Sequence, residues 1–238
     1  LSLLKASPGK YFYASTGSIT MKGLTLSGGN GAGANISGQG GGILNNGANL
    51  ALTKCTLSGN FARFEGGAIA NYGTLALTQC TFSRNSAEFE GGAITNYDTL
   101  ALTQCTLSDN STSYGGAVFN LGELTLINTI VAGNRAHTGP DIRHGSGTIT
   151  PFGKNLIGNL TDSGLTAGPN VITGDAKLKP LDNYGGPTQT LQPDAGSPAI
   201  NAAVGSSFTT DQRYQPIVVT ADIGACEASV IDTTTVTT

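Results

Sequence analysis

The sequence predicts an all-β fold, a parallel β-helix, from a short internal repeat and from the alternation within it. One unit of about 25 residues is written four times across residues 41–139, and the copies begin at Gly41, Gly66, Gly91 and Gly115. A unit of this size cannot bury its own apolar face, so it must stack on its neighbours. Apolar and polar residues alternate within each copy, which indicates extended strands rather than helices.

Each coil is predicted to contain three short strands joined by bends. In the second copy the inward-facing residues form three pairs: Ile69 and Asn71, Leu75 and Leu77, and Cys80 and Phe82. The step from Leu77 to Cys80 is three residues instead of two, so the alternation slips once. We therefore expect a corner between two strands at Thr78–Gln79.

Equivalent residues of the copies are predicted to stack in columns along the axis, about 4.8 Å apart. The apolar columns are Leu44, Ile69, Ile94 and Val118; Leu50, Leu75, Leu100 and Leu124; and Leu52, Leu77, Leu102 and Leu126. An amide column at a bend consists of Asn46, Asn71, Asn96 and Asn120. Stacked amides satisfy one another and the turn backbone, so we interpret this column as structural rather than ligand-binding.

A second set of asparagines closes the third strand, and it consists of Asn60, Asn85, Asn110 and Asn134. Asparagine tolerates left-handed backbone, which suits that position, and we interpret this set as structural too. Cys55, Cys80 and Cys105 form a further inward column, continued by Thr129. In-register side chains point the same way, so we favour buried free thiols over disulfides, with metal binding less favoured because no CxxC pair accompanies them.

The amino-terminal residues 1–40 are expected to form a cap and a degenerate first coil. Four apolar residues of this segment match the copy that begins at Gly41, at a constant offset of 31: Ile19, Met21, Leu24 and Leu26 correspond to Leu50, Leu52, Cys55 and Leu57. The extra length falls in a Gly-rich loop, GGNGAGANISGQG. No GK[ST] motif follows it, so a phosphate-binding loop is disfavoured.

Aromatic residues recur at the bends of the repeat: Phe64, Phe89 and Tyr114 before the glycine pair of the next coil, and Tyr72 and Tyr97 after the asparagine. Rows of aromatic rings can stack on sugars, so these are candidate ligand contacts. The alternative is that they shield the bends from water.

Residues 140–227 are predicted to hold irregular coils and a carboxy-terminal cap. The stretch with both histidines, His137 and His144, also contains Asp141 and Arg143. Acid–base or metal chemistry is one interpretation, and a polar loop leaving the last regular coil is the favoured one. Further on, Gly-Gly-Pro and Gly-Ser-Pro predict turns. Four charged residues could pair to close the lower end of the core, or form a catalytic carboxylate pair: Asp211, Arg213, Asp222 and Glu227.

The repeat GGAIxNxGTLxLxxCTFSxN resembles the repeats of polymorphic outer-membrane-type proteins, which implies a right-handed β-helix. The segments NLIGN, DNYGGPTQTLQPDAGSPAINA, DQRYQP and ADIGACE resemble the closing module of secreted bacterial β-helix proteins termed choice-of-anchor Q. The resemblance covers residues 41–227 and implies an exported, surface-associated protein without agreed catalytic residues. The chain departs from the family pattern at Tyr214, after Pro216, and in having no recognisable anchor after Glu227.

Composition limits the classes of function. The net charge of −3 offers no basic face for nucleic acid, and no apolar run is long enough to span a bilayer. Gly 35 together with 11% charged residues is typical of extracellular β-rich repeats. We expect a secreted or cell-surface structural or adhesive protein, with no catalysis, cofactor or metal. A polysaccharide-binding or polysaccharide-cleaving β-helix is the alternative, and ice binding is a third hypothesis because of the outward Thr53, Thr78 and Thr103.

The last eleven residues, 228–238, are a Thr-rich tail or linker with one charge. Such a segment can add as a strand to an exposed sheet edge of a neighbouring molecule. We hypothesise end-to-end self-association into a filament through the two termini, with these candidate contacts: Leu1, Leu3, Leu4, Val230 and Val236.

Overall fold

The computed structural model describes residues 12–31 and 38–229, and these form 21 short strands and no helix. None of the described residues therefore belongs to a helix that could cross a membrane. The strands are β1 (Phe12–Ala14), β2 (Ser18–Lys22), β3 (Thr25–Ser27), β4 (Ile43–Asn45), β5 (Asn49–Thr53), β6 (Thr56–Ser58), β7 (Phe61–Ala62), β8 (Ile69–Asn71), β9 (Thr74–Thr78), β10 (Thr81–Ser83), β11 (Ser86–Ala87), β12 (Ile94–Asn96), β13 (Thr99–Thr103), β14 (Thr106–Ser108), β15 (Val118–Asn120), β16 (Glu123–Ile127), β17 (Ile130–Val131), β18 (Ile142–His144), β19 (Thr148–Phe152), β20 (Asn155–Ile157) and β21 (Val171–Ile172).

Three parallel sheets run along the axis, and each coil adds one strand to each sheet. Sheet 1 has six strands, β1-β4-β8-β12-β15-β18; sheet 2 also has six, β2-β5-β9-β13-β16-β19; sheet 3 has seven, β3-β6-β10-β14-β17-β20-β21. A short fourth ladder pairs β7 with β11. The predicted fold class, a parallel β-solenoid with three strands per coil, is confirmed.

The interior is filled by the predicted leucine columns of sheet 2. Leu50 pairs with Leu75, Leu75 with Leu100 and Leu100 with Leu124, and the column from Leu52 to Leu126 has the same register. These side chains are at most 1% exposed. Burial of each contributes about 1.5–3 kcal/mol, so the columns supply a large part of the drive to fold.

A left-handed residue makes the corner between sheets 2 and 3 in each coil. In four coils the corner residues are Lys54, Gln79, Gln104 and Asn128, with φ between 45° and 55°, and in the two flanking coils they are Gly23 and Gly153. The one odd residue lets both flanking strands keep their apolar side chains inside. The predicted corner at Thr78–Gln79 is thus confirmed at Gln79.

The first copy is displaced by one residue from the predicted alignment. Ile43, not Leu44, pairs with Ile69, and Asn45, not Asn46, pairs with Asn71. The copy begins at Gly40 instead of Gly41, because the turn before Leu50 is one residue longer than in the next coil. Gly47 takes up this residue with φ +100°, a conformation that glycine adopts readily. Asn46 is exposed and donates to the Tyr13 hydroxyl.

Two asparagine ladders run inside the bends. In the first Asn ladder (Asn45, Asn71, Asn96, Asn120), each Nδ2 donates to Oδ1 of the next residue at 2.7–2.8 Å. The same amides donate to turn carbonyls such as that of Gly73. The stacked side chains therefore satisfy buried backbone that would otherwise lack partners.

The second Asn ladder (Asn60, Asn85, Asn110, Asn134) is linked at 2.9 Å per step. The prediction that these asparagines are left-handed is wrong. The left-handed residue is the one before each of them: Gly59, Arg84, Asp109 and Gly133. That residue makes the turn, which leaves the asparagine side chain free to point inward and bond along the ladder.

The predicted cysteine column lies inside the corner between sheets 2 and 3. All four cysteines are buried and free, including Cys226. The Cys80 sulfur accepts from the backbone N–H of Cys55, and the Thr129 hydroxyl accepts from that of Cys105. Burial and the neighbouring Cys105 raise the pKa of the Cys80 thiol, which keeps this thiol protonated.

The C-terminal module (residues 174–229) packs along the side of the solenoid, over the outer face of sheet 3. The expectation that it closes the lower end of the core is wrong. The outward residues of sheet 3 form a row in which three threonines give way to apolar side chains: Thr56, Thr81, Thr106, Ile130 and Leu156. Ile130 and Leu156 form a second apolar cluster with Ala199 and Ile223 of the module. Apolar side chains that are far apart in the sequence and buried against one another therefore hold the module in place.

Candidate functional site

A group of exposed aromatic side chains lies in the connection between sheet 3 of one coil and sheet 1 of the next. We call Phe61, Phe64, Phe89 and Tyr114 the aromatic patch; they are 40–51% exposed. The rings of Phe64 and Phe89 stack with centroids 6.2 Å apart and planes inclined by 22°. The guanidinium of Arg63 lies 5.4 Å from the Phe64 centroid. Neighbouring coils thus present aromatic faces side by side.

Tyr114 does not continue the Phe64–Phe89 column as predicted. It pairs with Glu90, which in turn pairs with Glu65. The copy is one residue shorter between Ser111 and Tyr114 than the preceding one, because Ser111 pairs with Ser86 at a separation of 25 and Tyr114 with Glu90 at 24. The deletion brings the tyrosine into the position of the glutamates.

Tyr72 and Tyr97 are half-buried and belong to a hydrogen-bonded cluster. Their rings stack with centroids 4.5 Å apart, and both hydroxyls donate to the carboxylate of Glu65. Gln39 donates to the same carboxylate at 2.7 Å. Tyr72 follows β8 and Glu65 precedes β8, so the hydrogen bond between Tyr72 and Glu65 spans the outer side of this strand. These tyrosines are thus fixed by hydrogen bonds to a buried carboxylate on the outer side of β8.

Burial raises the pKa of the Tyr72 and Tyr97 phenols. The pKa of Glu90 is raised by burial and by the neighbouring Glu65. The two phenols therefore stay protonated and remain donors to Glu65. The arrangement suits a fixed hydrogen-bonded network more than a proton-transfer site.

The stretch that contains His144 continues the regular coils. Residues Ile142–His144 are strand β18 of sheet 1, so the prediction of a polar loop is wrong. Asp141 ends the second Asn ladder: its Oδ1 accepts from Asn134 Nδ2 at 2.9 Å, and its Oδ2 from the Asn159 N–H at 2.7 Å. Burial raises its pKa. A carboxylate held this way is a structural acceptor.

Arg143 and His144 both contact Asp162, the first through its side chain and the second through its backbone. Arg143 forms an ion pair with Asp162 at 3.7 Å. The backbone N–H of His144 donates to the Asp162 carbonyl, and His137 lies exposed in the preceding turn. The four residues that the sequence grouped as a candidate acid–base cluster are not assembled around one reacting position.

The charged residues of the C-terminal module hold its own backbone. Asp211 pairs with Arg213 at 2.6 Å, both buried, and also accepts the N–H groups of Gln215 and Glu227. Asp222 accepts from Asn201 and Ala228. Burial, with Asp222 nearby, raises the pKa of Glu227 to about 7. The predicted pairing is present for Asp211 and Arg213, but on the side of the solenoid.

Sequence reasoning did not identify the residues through which the module contacts the coils. Gln212 donates to the Thr56 hydroxyl at 2.9 Å and accepts from Thr81 at 2.6 Å. Lys54 donates to the carbonyls of Thr210 and Asp211. The available signal was the row of outward threonines that turns apolar at Ile130.

No group of three or more His, Cys, Asp or Glu side chains in residues 12–31 and 38–229 is arranged to hold a metal ion. The candidate assembly contacts lie outside the described residues: Leu1, Leu3, Leu4, Val230 and Val236. No family model matches the chain. A search of curated proteins gives no match either.

Proposed function

We propose that the chain is a secreted, surface-associated structural or adhesive β-solenoid that binds polysaccharide without cleaving it. The aromatic patch carries the proposal, because it exposes four large rings on adjacent coils of a rigid scaffold. Exposed apolar surface of this kind marks contact sites. Sugar rings present C–H groups that pack on aromatic faces. The resemblance of the repeats to surface proteins supports the location.

Polar groups beside the patch suit a hydroxyl-rich ligand. Glu88 is exposed next to Phe89, and the Arg63 guanidinium lies over the Phe64 ring. A carboxylate accepts from sugar hydroxyls and a guanidinium donates to them. The patch thus combines apolar faces with both kinds of hydrogen-bonding group.

The absence of catalysis is part of the proposal. It is supported by the use of Asp141, Asp211 and Asp222 as acceptors for backbone N–H groups. A general acid or base needs a proton-transfer path to substrate. We expect no turnover of pectin, alginate or related acidic polysaccharides, measured as release of reducing ends with and without calcium.

The binding test uses co-sedimentation with microcrystalline cellulose and with chitin. The parent protein should sediment with at least one of them, and Phe64→Ala/Phe89→Ala should bind at least tenfold more weakly, because both stacked rings are removed. Phe152→Ala is the matched control, since Phe152 is 53% exposed on sheet 2, outside the patch. Equal loss in the control, or no loss in the double variant, would contradict the proposal.

We also propose end-to-end association of the solenoid. Its support is that, among the described residues, sheet 2 ends in strands that pair on one side only, β2 at one end and β19 at the other. Apolar side chains near these ends are only partly buried, among them Met21 and Ile149. Such edges accept further strands. Deletion of residues 228–238 should leave a folded monomer, and light scattering of parent and deleted protein at high concentration tests this. A parent that stays monomeric would exclude association.

A further inference from the structure

A cleft of about 640 Å³ lies between the solenoid and the C-terminal module. We call it the flank cleft. One wall consists of turns that follow strands of sheet 3, and the other is the start of the module. Its charged lining residues are Arg84, Asp109, Asp141, Asp175, Lys177 and Lys179.

Three residues other than glycine that line this cleft have left-handed backbone. The turn position after the third strand is Gly59 in one coil and Gly133 in another, but Arg84 and Asp109 between them, with φ of 57° and 61°. Lys177, on the opposite wall, has φ 44°. Side chains are disfavoured in this conformation, and such residues cluster at functional sites. Two coils carry a charged side chain where glycine would be less strained.

The charges on the two walls are also free. Arg84, Asp109 and Lys177 are exposed, and none forms an ion pair or side-chain hydrogen bond with another described residue. Lys179, by contrast, is held by Gln192 at 3.2 Å and Asp194 at 3.9 Å. Each wall therefore offers one cation that has no partner in the part of the chain that the structure describes.

We propose that the flank cleft binds an acidic oligosaccharide built of uronic acid units. Arg84 and Lys177 pair with sugar carboxylates from the two walls, and Asp109 and Asp175 accept from sugar hydroxyls. Charge-assisted pairs of this kind are strong when partly shielded from water. Among the lining residues only Ser108 belongs to a strand, β14, and that strand is paired on both sides. An extended peptide would therefore leave its backbone unpaired there. The cleft shares no residue with the aromatic patch, and the inference does not depend on it.

The test is calorimetric titration of the full chain with a galacturonic acid tetramer at low salt, with the neutral galactose tetramer as reference. The acidic tetramer should bind at least tenfold more tightly. Arg84→Gly and Lys177→Gly should each weaken that binding about tenfold, because each removes one charge-assisted contact. Glycine fits a positive φ, so both variants should melt at or above the parent temperature.

Lys154→Ala is the control, because it removes a cation that does not line the cleft. Its affinity for the acidic tetramer should equal that of the parent. The proposal is overturned if the two tetramers bind equally or not at all, or if the glycine variants bind like the parent. Equal binding of a glutamate-rich peptide would overturn the assignment to a saccharide.

Discussion

At the level of single residues, one additional turn residue decides which asparagine enters the first Asn ladder. Asn45 donates to Asn71 Oδ1 at 2.8 Å and accepts from the Ala48 N–H at 3.0 Å. Asn46 follows it in the sequence and lies outside. Counting back from Leu50 at the spacing of the other copies selects Asn46. The three consecutive glycines Gly40–Gly42 leave the start of the first copy undefined. The alignment therefore could not show that the turn between Asn45 and Leu50 is one residue longer than in the next copy.

We predict that Asn45→Ala lowers the free energy of unfolding by about 1–3 kcal/mol, because buried turn groups lose their partners. Asn46→Ala should change it by less than about 0.5 kcal/mol, as is usual for exposed positions. Urea unfolding monitored by circular dichroism measures both. A larger loss of unfolding free energy in Asn46→Ala than in Asn45→Ala would show that Asn46, as the sequence predicts, belongs to the ladder.

At the level of elements, the strands of sheet 2 could be predicted most completely. Each has five residues with three outward and two inward side chains, so the alternation is long enough to define both faces. The corner at Gln79 followed from the slip in this alternation. The strands of sheets 1 and 3 have three residues or fewer, which is too short for a clear alternation. Their bounds could be predicted only relative to the longer strands of sheet 2.

We predict that Leu77→Asp abolishes folding, while Ala76→Asp on the same strand does not. Leu77 is 1% exposed inside an apolar column, where a carboxylate has no partner and its burial costs several kcal/mol. Ala76 is exposed on the outer face. Far-UV circular dichroism and thermal melting distinguish the two. Retention of the parent melting temperature by Leu77→Asp would refute the inward assignment.

The position of Tyr114 shows what alignment of short turns misses. The phenylalanines stand two residues before the glycine pair, and Tyr114 stands directly before it. That difference was visible in the sequence and indicates a deletion in the turn. An alignment of the copies that matches residues only by their type places Phe64, Phe89 and Tyr114 in one column.

At the level of the whole molecule, the place of the C-terminal module could not be predicted from local patterns. Its contacts join residues more than one hundred positions apart, such as Gln212 with Thr56 and Ala225 with Thr106. Terminal units of solenoids usually act as caps, which led to the expectation of an end closure. The outward threonines of sheet 3 looked solvent-facing, yet Thr56 and Thr81 are fully buried.

We predict that stability decreases as pH rises from about 4.5 to about 7, in part through Glu227. Burial raises the pKa of Glu227 to about 7 in the folded protein, above its usual value of 4.5. Below 4.5 the group is neutral in both states. Between the two values the unfolded chain loses the proton and the folded protein keeps it, so unfolding becomes more favourable.

Denaturant midpoints measured across this pH range test the assignment. Glu227→Gln should flatten the slope, because the amide keeps an acceptor for the Asp222 N–H and cannot ionise. Glu123→Gln is the matched control on the exposed face of sheet 2 and should retain the slope. An unchanged slope in Glu227→Gln would assign the effect to other carboxyl groups such as Asp222.

The module also imposes an order on folding during synthesis. Lys54 lies in the second coil, and its partners Thr210 and Asp211 are 156 and 157 residues later. Coils stack as they emerge from the ribosome, since each needs only its neighbour. The outer face of sheet 3 then stays open to water until residues 199–225 of the module have been made. A nascent chain halted before residue 200 would thus consist of stacked coils without the bound module. The outer face of its sheet 3 would be accessible to chaperones.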